Sequence, residues 1–273
     1  MPVVVHVSDL HLGAHNDALA ESLLADVGDR RPDLVVVSGD LTQRAGRSQF
    51  FEARELLKRL PNPMLTVPGN HDLPLFNLPA RLLRPRRRYE QFIARDLDPV
   101  TELPDLNVVG LDSMPPWRWK AGHVSPRQIG MVREALSNGA AGAWRLLVTH
   151  HPVLPASLSG LVGRGPLVEA CARTGVSVLL SGHTHVPSVD IVTMEAAGVR
   201  HQALAVGAGT AISRRTRGVP NAYAVLDLAG PLRTGATLTV QILQPEGTGW
   251  LVTRSERFEY GPEGIVAGPP GRI

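Results

Sequence analysis

Five short polar runs follow one another along this 273-residue chain: Asp9-Leu10-His11, Gly39-Asp40, Gly69-Asn70-His71-Asp72, Thr149-His150-His151-Pro152 and Gly182-His183-Thr184-His185. Together they offer carboxylate and amide oxygens and imidazole nitrogens, with no thiolate among them. Mixed nitrogen and oxygen donors suit Zn, Fe, Ni or Mn rather than soft copper or an iron–sulfur cluster. More than four candidate ligands around one central carboxylate point to two ions. Two ions about 3.5–4 Å apart can clamp the attacking and leaving oxygens of an in-line displacement at phosphorus. Metal binding also lowers the pKa of water from about 15.7 to about 7, so hydroxide is at hand at neutral pH. The chemistry implied is hydrolysis of a phosphate ester.

Something must hold these runs in place. Each follows a short apolar stretch: Val3-Val4-Val5, Leu34-Val35-Val36-Val37, Met64-Leu65-Thr66-Val67, Leu146-Leu147-Val148 and Val178-Leu179-Leu180. Such stretches, bounded by turn residues, read as buried strands. Five strands then deliver ligand-type side chains at their C-terminal ends, where open α/β sheets place their sites. The spacing predicts helices over Asp17 to Arg30 (capped by Asn16, with Leu19, Leu23, Leu24 and Val27 on one face), Ser48 to Leu60, Arg87 to Asp96, Pro126 to Ser137 and Gly165 to Thr174. Asn107 to Asp112 reads as a further strand. Beyond Val186 short strands replace helices: Val189–Met194, Ala203–Val206, Tyr223–Leu228, Leu238–Leu243 and Leu251–Phe258. The alternation makes this an α/β chain. It is read as one domain over residues 1–260 with a loose tail over residues 261–273.

In this order the runs resemble the calcineurin-like metallophosphoesterases, whose pattern is D-x-H, GD, GNH[DE], a histidine after an apolar strand, and GHxH. The likeness extends from Asp9 to His185. It implies two mixed β-sheets packed as a sandwich flanked by helices, and two divalent ions from among Mn, Fe, Zn, Ni and Co. By position, Asp9, His11 and His185 correspond to ligands of one ion, and Asp40 to the carboxylate that bridges both. Asn70, His150 and His183 correspond to ligands of the second ion. His71 corresponds to a group that faces the phosphate or the leaving group, with Asp72 beside it to orient or polarise it. The implied catalytic set is thus His71, Asp72 and Asn70.

Purple acid phosphatases follow the GD with a tyrosine three residues on that binds ferric iron. Here that position is Gln43, which speaks against a ferric site. The Ser8-to-Gly13 and Pro68-to-Asp72 runs are more similar to the bacterial phosphodiesterases of the family, the class III cyclic-nucleotide and the glycerophosphodiester hydrolases. The resemblance implies hydrolysis of a small phosphodiester, a 3′,5′-cyclic nucleotide for example, by in-line attack of a metal-bridging hydroxide. A nuclease or phosphomonoesterase with the same centre is the alternative. A metal-loaded binding protein without turnover is a third reading, and the intact ligand set counts against it.

The remaining residues set limits. Of the ten histidines, His6 and His201 read as structural, His15 as surface, and His123 as a loop residue with a lesser claim on substrate. His151 competes with His150, and the resemblance favours the first of the pair. Arginines crowd two segments, Arg81, Arg84, Arg86, Arg87 and Arg88, then Arg214, Arg215 and Arg217, although the net charge is only +3. They form either a solvated or subunit-contacting face or a rim that attracts phosphate-bearing substrate. Trp117 and Trp119 either overhang the site or roof the core. Aromatics are 4% of the chain, few for stacking along a nucleic acid. Phe76, Leu78, Leu82 and Leu83 are a candidate homodimer contact. The single Cys171 allows no internal disulfide, Met1-Pro2 leads straight into the first strand, and no apolar stretch has the roughly 18 residues a membrane helix needs. A cytoplasmic protein with no membrane span is expected.

Overall fold

The computed structural model describes residues 1–155, 160–196 and 198–268. Its strands are β1 (Val3–Val7), β2 (Leu34–Val37), β3 (Met64–Thr66), β4 (Val100–Leu103), β5 (Leu106–Leu111), β6 (Gly122–His123), β7 (Trp144–Thr149), β8 (Leu161–Val162), β9 (Val178–Ser181), β10 (Ser188–Ala196), β11 (Val199–Gly207), β12 (Tyr223–Ala229), β13 (Thr237–Glu246), β14 (Gly249–Gly261) and β15 (Gly264–Ala267). The α-helices are α1 (Asp17–Arg30), α2 (Arg47–Leu57), α3 (Leu78–Leu83), α4 (Arg87–Phe92), α5 (Pro126–Asn138) and α6 (Gly165–Thr174).

The strands read as unbroken apolar runs because they are covered on both faces. Successive side chains of a strand point to opposite sides. Val4, Val36, Leu65, Val108, Leu146 and Leu180 meet in one cluster between two limbs of the sheet. Their neighbours turn outward. Val5, Val35 and Val37 pack against Leu23 and Val27 of α1 and Phe50 of α2. Val109, Leu147 and Leu179 pack against Ile129 and Val132 of α5 and Leu167 and Cys171 of α6.

The two limbs are not separate sheets. Hydrogen bonds join 13 strands in the order β3-β2-β1-β12-β13-β14-β15-β11-β9-β7-β5-β4, with β10 on β11, in place of the two sheets expected. The join is β14, whose 13 residues pair along β13 and then with β15. β15 meets β11 through Gln202 and Gly264 alone. Four residues of the expected loose tail are therefore this strand; residues 269–273 lie outside the described part of the chain.

Two parallel blocks position the site. β1, β2 and β3 run parallel, as do β5, β7, β9 and β11, so each block turns its carboxyl ends to one edge. α1 begins where expected, with Asn16 Oδ1 accepting from Ala18 N at 3.1 Å and Leu19 N at 3.3 Å. The helix expected over Arg87 to Asp96 is shorter, and α3 precedes it. Pro85 separates the two, because it lacks an N–H and disfavours helical backbone at Arg84. No helix among the described residues is long and apolar enough to cross a membrane.

Candidate metal centre

The turns that carry the polar runs are strained in one consistent way. Asp9, His11, Asp40, His183 and His185 adopt φ of 52°, 49°, 52°, 69° and 63°. They are five of eight described non-glycine residues with positive φ. Such backbone costs on the order of 1–3 kcal/mol per residue and persists where surrounding structure enforces it. The motif glycines have a different cause. A Cβ on Gly69 would lie 2.2 Å from Asp40 Oδ1, and one on Gly182 would lie 1.9 Å from Ser8 Oγ. The loops approach so closely that no side chain fits between them.

This crowding brings the ligand-type groups together. Asp9, His11, Asp40 and His185 each place one donor atom within 4.8 Å of the others, all buried. His185 Nε2 is 3.2 Å from Asp9 Oδ1, and His11 Nε2 is 3.7 Å from both Asp9 Oδ1 and Asp40 Oδ2. A second group starts from the other oxygen of the same carboxylate. Asp40 Oδ1 is 3.4 Å from His150 Nε2, which is 3.2 Å from Asn70 Oδ1, itself 3.0 Å from His183 Nδ1. Backbone carbonyls set the rings: His150 Nδ1 donates to Ser38 O at 2.8 Å and His185 Nδ1 to Arg215 O at 2.6 Å. With Nδ1–H so engaged, each Nε2 faces the centre.

The electrostatics ask for cations. Burial pushes His11 and His183 down to about 4, so both imidazoles are neutral and available to a metal. Burial also opposes charge on His150, but Asp40 outweighs it and lifts that imidazole to about 9. Asp9 and Asp40 stay ionised against the pull of burial, through His185 and His150 respectively. Asp9 Oδ1 is buried without a hydrogen-bond partner, although imidazole nitrogens surround it. An unpaired buried carboxylate oxygen is costly. A hard oxygen-and-imidazole pocket with that orphan fits a divalent ion.

His71 sits at the rim of the centre, its ring edge-on to His11 with centroids 4.9 Å apart. Its Nδ1 donates to Gln43 O at 2.8 Å, and its Nε2 accepts from Arg215 Nη1 at 3.2 Å. Asp72, expected to orient this ring, does something else. Its carboxylate accepts from Gly69 N at 2.9 Å, Leu41 N at 3.1 Å, Thr42 N at 2.9 Å and Thr42 Oγ1 at 3.0 Å. Asp72 therefore ties the GD turn to the GNHD turn and leaves His71 to a backbone carbonyl. Burial, then the Asp40 charge, pushes this carboxyl up to about 7 against the N–H groups that hold it down.

Arg215 is the contact that sequence reasoning saw only as one of a basic cluster. Its guanidinium meets His71 while its carbonyl fixes His185, and nothing in the spacing of Arg214, Arg215 and Arg217 singles it out. The first arginine cluster is largely not a rim. Arg81 is buried and donates to Pro74 O, Pro116 O and Arg118 O; Arg86 pairs with Asp112 and donates to Met114 O. Arg88 donates to Ala45 O, and Arg84, Arg87 and Arg88 line a cavity of 460 Å³ beside Asp72. Phe76, Leu78, Leu82 and Leu83 are exposed. His151 is buried beneath the centre, Nδ1 on Ser113 Oγ and its ring 4.6 Å from that of His183. His6 is buried on Ser38 Oγ, and His201 Nε2 bonds to Val176 O.

A sequence model of the calcineurin-like phosphoesterases matches residues 2–187. The chain belongs to that family. Calcineurin-like phosphoesterases are metal-dependent hydrolases of phosphate esters, and the Asp and His cluster supplies the donors for divalent metal. A probable cyclic nucleotide phosphodiesterase of Synechococcus is 25% identical over 200 residues, 67% of this chain and 72% of that one. A probable glycerophosphodiester phosphodiesterase of Arcobacter nitrofigilis is 26% identical over 206 residues, 71% of each chain. The crystal structure of a purple acid phosphatase from yellow lupin matches this calcineurin-like phosphoesterase with a TM-score of 0.65 at 14% identity. That match covers 94% of this chain and 53% of the lupin protein, so the chain spans about half its length, and at such identity it speaks to the fold alone.

Proposed function

We propose that this protein is a dinuclear phosphodiesterase acting on a small diester, with a 3′,5′-cyclic nucleotide as the favoured substrate. One observation carries the reading: the two oxygens of Asp40 face two different ligand groups, Oδ2 toward His11 and Oδ1 toward His150. Asp9, His11 and His185 would hold one ion with Asp40, and Asn70, His150 and His183 the other. Two divalent ions there would supply a hydroxide at neutral pH and would offset charge on the phosphoryl oxygens. The low-identity diesterases of Synechococcus and Arcobacter support a diester over a monoester.

The chain's own groups complete the chemistry. Arg215 brings a forked cation to the rim, the geometry that pairs with phosphoryl oxygens. His71 is aimed by Gln43 O so that Nε2, once Arg215 turns to phosphate and the ring has taken up a proton from solvent, can pass that proton to the leaving oxygen. His71→Ala is expected to lower kcat by about 10²–10⁴-fold while KM and metal content change little. A variant that loses metal instead would place His71 among the ligands.

His150 adds a pH signature. Below about 9 this imidazole carries a proton that metal must displace, so apparent metal affinity rises with pH up to that range. Calorimetry of manganese uptake at pH 7 in buffers of different ionisation enthalpy should show proton release, and His150→Gln should reduce it. Equal release by the variant would reassign the proton.

The deciding experiment is a hydrolysis panel with manganese-loaded protein. It compares bis-p-nitrophenyl phosphate, p-nitrophenyl phosphate, 3′,5′- and 2′,3′-cyclic nucleotides, glycerophosphodiesters and single-stranded DNA. Preference for a small diester supports the reading; preference for the monoester or DNA replaces it. In this reading the chain through β15 acts as one domain, and the exposed Phe76, Leu78, Leu82 and Leu83 form a homodimer contact.

A further inference from the structure

The loop after β5 displays two tryptophans in a way that the metal chemistry does not require. β5, β7 and β9 are parallel neighbours, so the loops that follow them leave the sheet at the same edge. The loops after β7 and β9 carry His150 and His183. The loop after β5 carries Trp117, 67% exposed, and Trp119, 48% exposed.

This loop is held rigidly. The buried guanidinium of Arg81 donates to Pro116 O at 2.8 Å, to Pro74 O at 3.1 Å and to Arg118 O, and it lies 4.4 Å from the Trp119 ring centroid. Arg86 holds the loop's start through Asp112 and through Met114 O at 2.7 Å. Two arginines thus fix the backbone on either side of Trp117. Trp117 stands exposed between the two carbonyls that Arg81 anchors.

Contacts lead from this indole back to the centre. The Trp117 ring lies 6.5 Å from that of His123, at an interplanar angle of 55°. Next to His123, Gly122 rests on the His151 ring so closely that a Cβ there would be 2.7 Å away. His151 in turn packs on His183 with ring centroids 4.6 Å apart. The path from His183 to the aromatic ledge is continuous and passes through three residues, His151, Gly122 and His123.

We propose that Trp117, with His123 beside it, is a stacking platform for the nucleobase of the substrate. The inference rests on the phosphodiester reading above and adds that the favoured diesters carry a planar base. Every base presents a π-face, so such a platform discriminates base-bearing from base-free diesters while tolerating different bases. Trp119 is committed to Arg81 and serves the loop instead.

The test separates the platform from the chemistry. Binding of adenosine 5′-monophosphate and of inorganic phosphate to manganese-loaded protein is measured by calorimetry for wild type, Trp117→Ala and Trp117→Phe. Trp117→Ala should weaken nucleotide binding by about 10- to 100-fold, the range for loss of one base–aromatic stack. It should leave phosphate binding unchanged, and Trp117→Phe should restore most of the nucleotide affinity. In turnover, Trp117→Ala should raise KM for a 3′,5′-cyclic nucleotide and not for a glycerophosphodiester. Nucleotide binding by Trp117→Ala equal to wild type overturns the platform even if diesters are hydrolysed. An equal loss for nucleotide and phosphate overturns it too, because the loop then acts on the centre as a whole. Absent turnover with Trp117-dependent nucleotide binding would instead remove the phosphodiesterase reading and leave the platform.

Discussion

Asp40→Asn should leave a folded protein that hydrolyses diesters at least about 1,000-fold more slowly, equivalent to about 4 kcal/mol of transition-state stabilisation. The substitution keeps the size of the side chain and an acceptor for His71 N, which Asp40 Oδ1 now engages at 2.8 Å. It removes the charge that two ligand groups share, one at each oxygen. Metal content should fall from two ions toward one, because an amide offers a single oxygen and its nitrogen cannot ligate. Circular dichroism checks the fold, elemental analysis the stoichiometry, and initial rates with bis-p-nitrophenyl phosphate the activity. Two bound ions together with a rate within tenfold of wild type would show that Asp40 does not bridge.

That Asp40 would stand among the clustered Asp and His donors was legible in the sequence, and the reason is physical. Open α/β sheets place their sites at the carboxyl ends of buried strands, and Leu34-Val35-Val36-Val37 followed by Gly39-Asp40 states strand and donor in seven residues. The same holds for Asp9, His150 and His183, each one to three residues past an apolar run that forms a strand. Helix α1 was equally legible, because its cap is local: Asn16 bonds to residues two and three positions on.

What stayed hidden depends on contacts between distant segments. The single sheet hangs on one pairing, Gln202 with Gly264, between strands that look no different from their neighbours. The arginines after GNHD look like a basic face when counted in line. Arg81 and Arg86 in fact turn inward to the carbonyls of a loop some 30 residues away, a partner choice set by tertiary packing. Backbone carbonyls were the least readable of all. Ser38 O, Gln43 O and Arg215 O orient His150, His71 and His185, and a carbonyl carries no sequence signature.

Asp72→Ala should destabilise the protein by about 3–5 kcal/mol, since it strips the partner from three backbone N–H groups buried between two turns and takes one of two acceptors from the Thr42 hydroxyl. At about 2–4 °C per kcal/mol, that lowers Tm by roughly 10 °C. Asp72→Asn should recover less than half of the loss, because its amide NH₂ would face donors where the carboxylate offers a second acceptor. The expected order in Tm is wild type, then Asn, then Ala, with activity following the folded fraction and the metal content. A group that polarised His71 would behave differently, with Asp72→Asn keeping Tm and losing kcat. Differential scanning calorimetry alongside kcat for the three proteins therefore decides between a carboxylate that acts on the ring and one that holds the GD and GNHD turns at the spacing Asp40 and Asn70 require. The four hydrogen bonds at 2.9–3.1 Å, none of them to His71, favour the second.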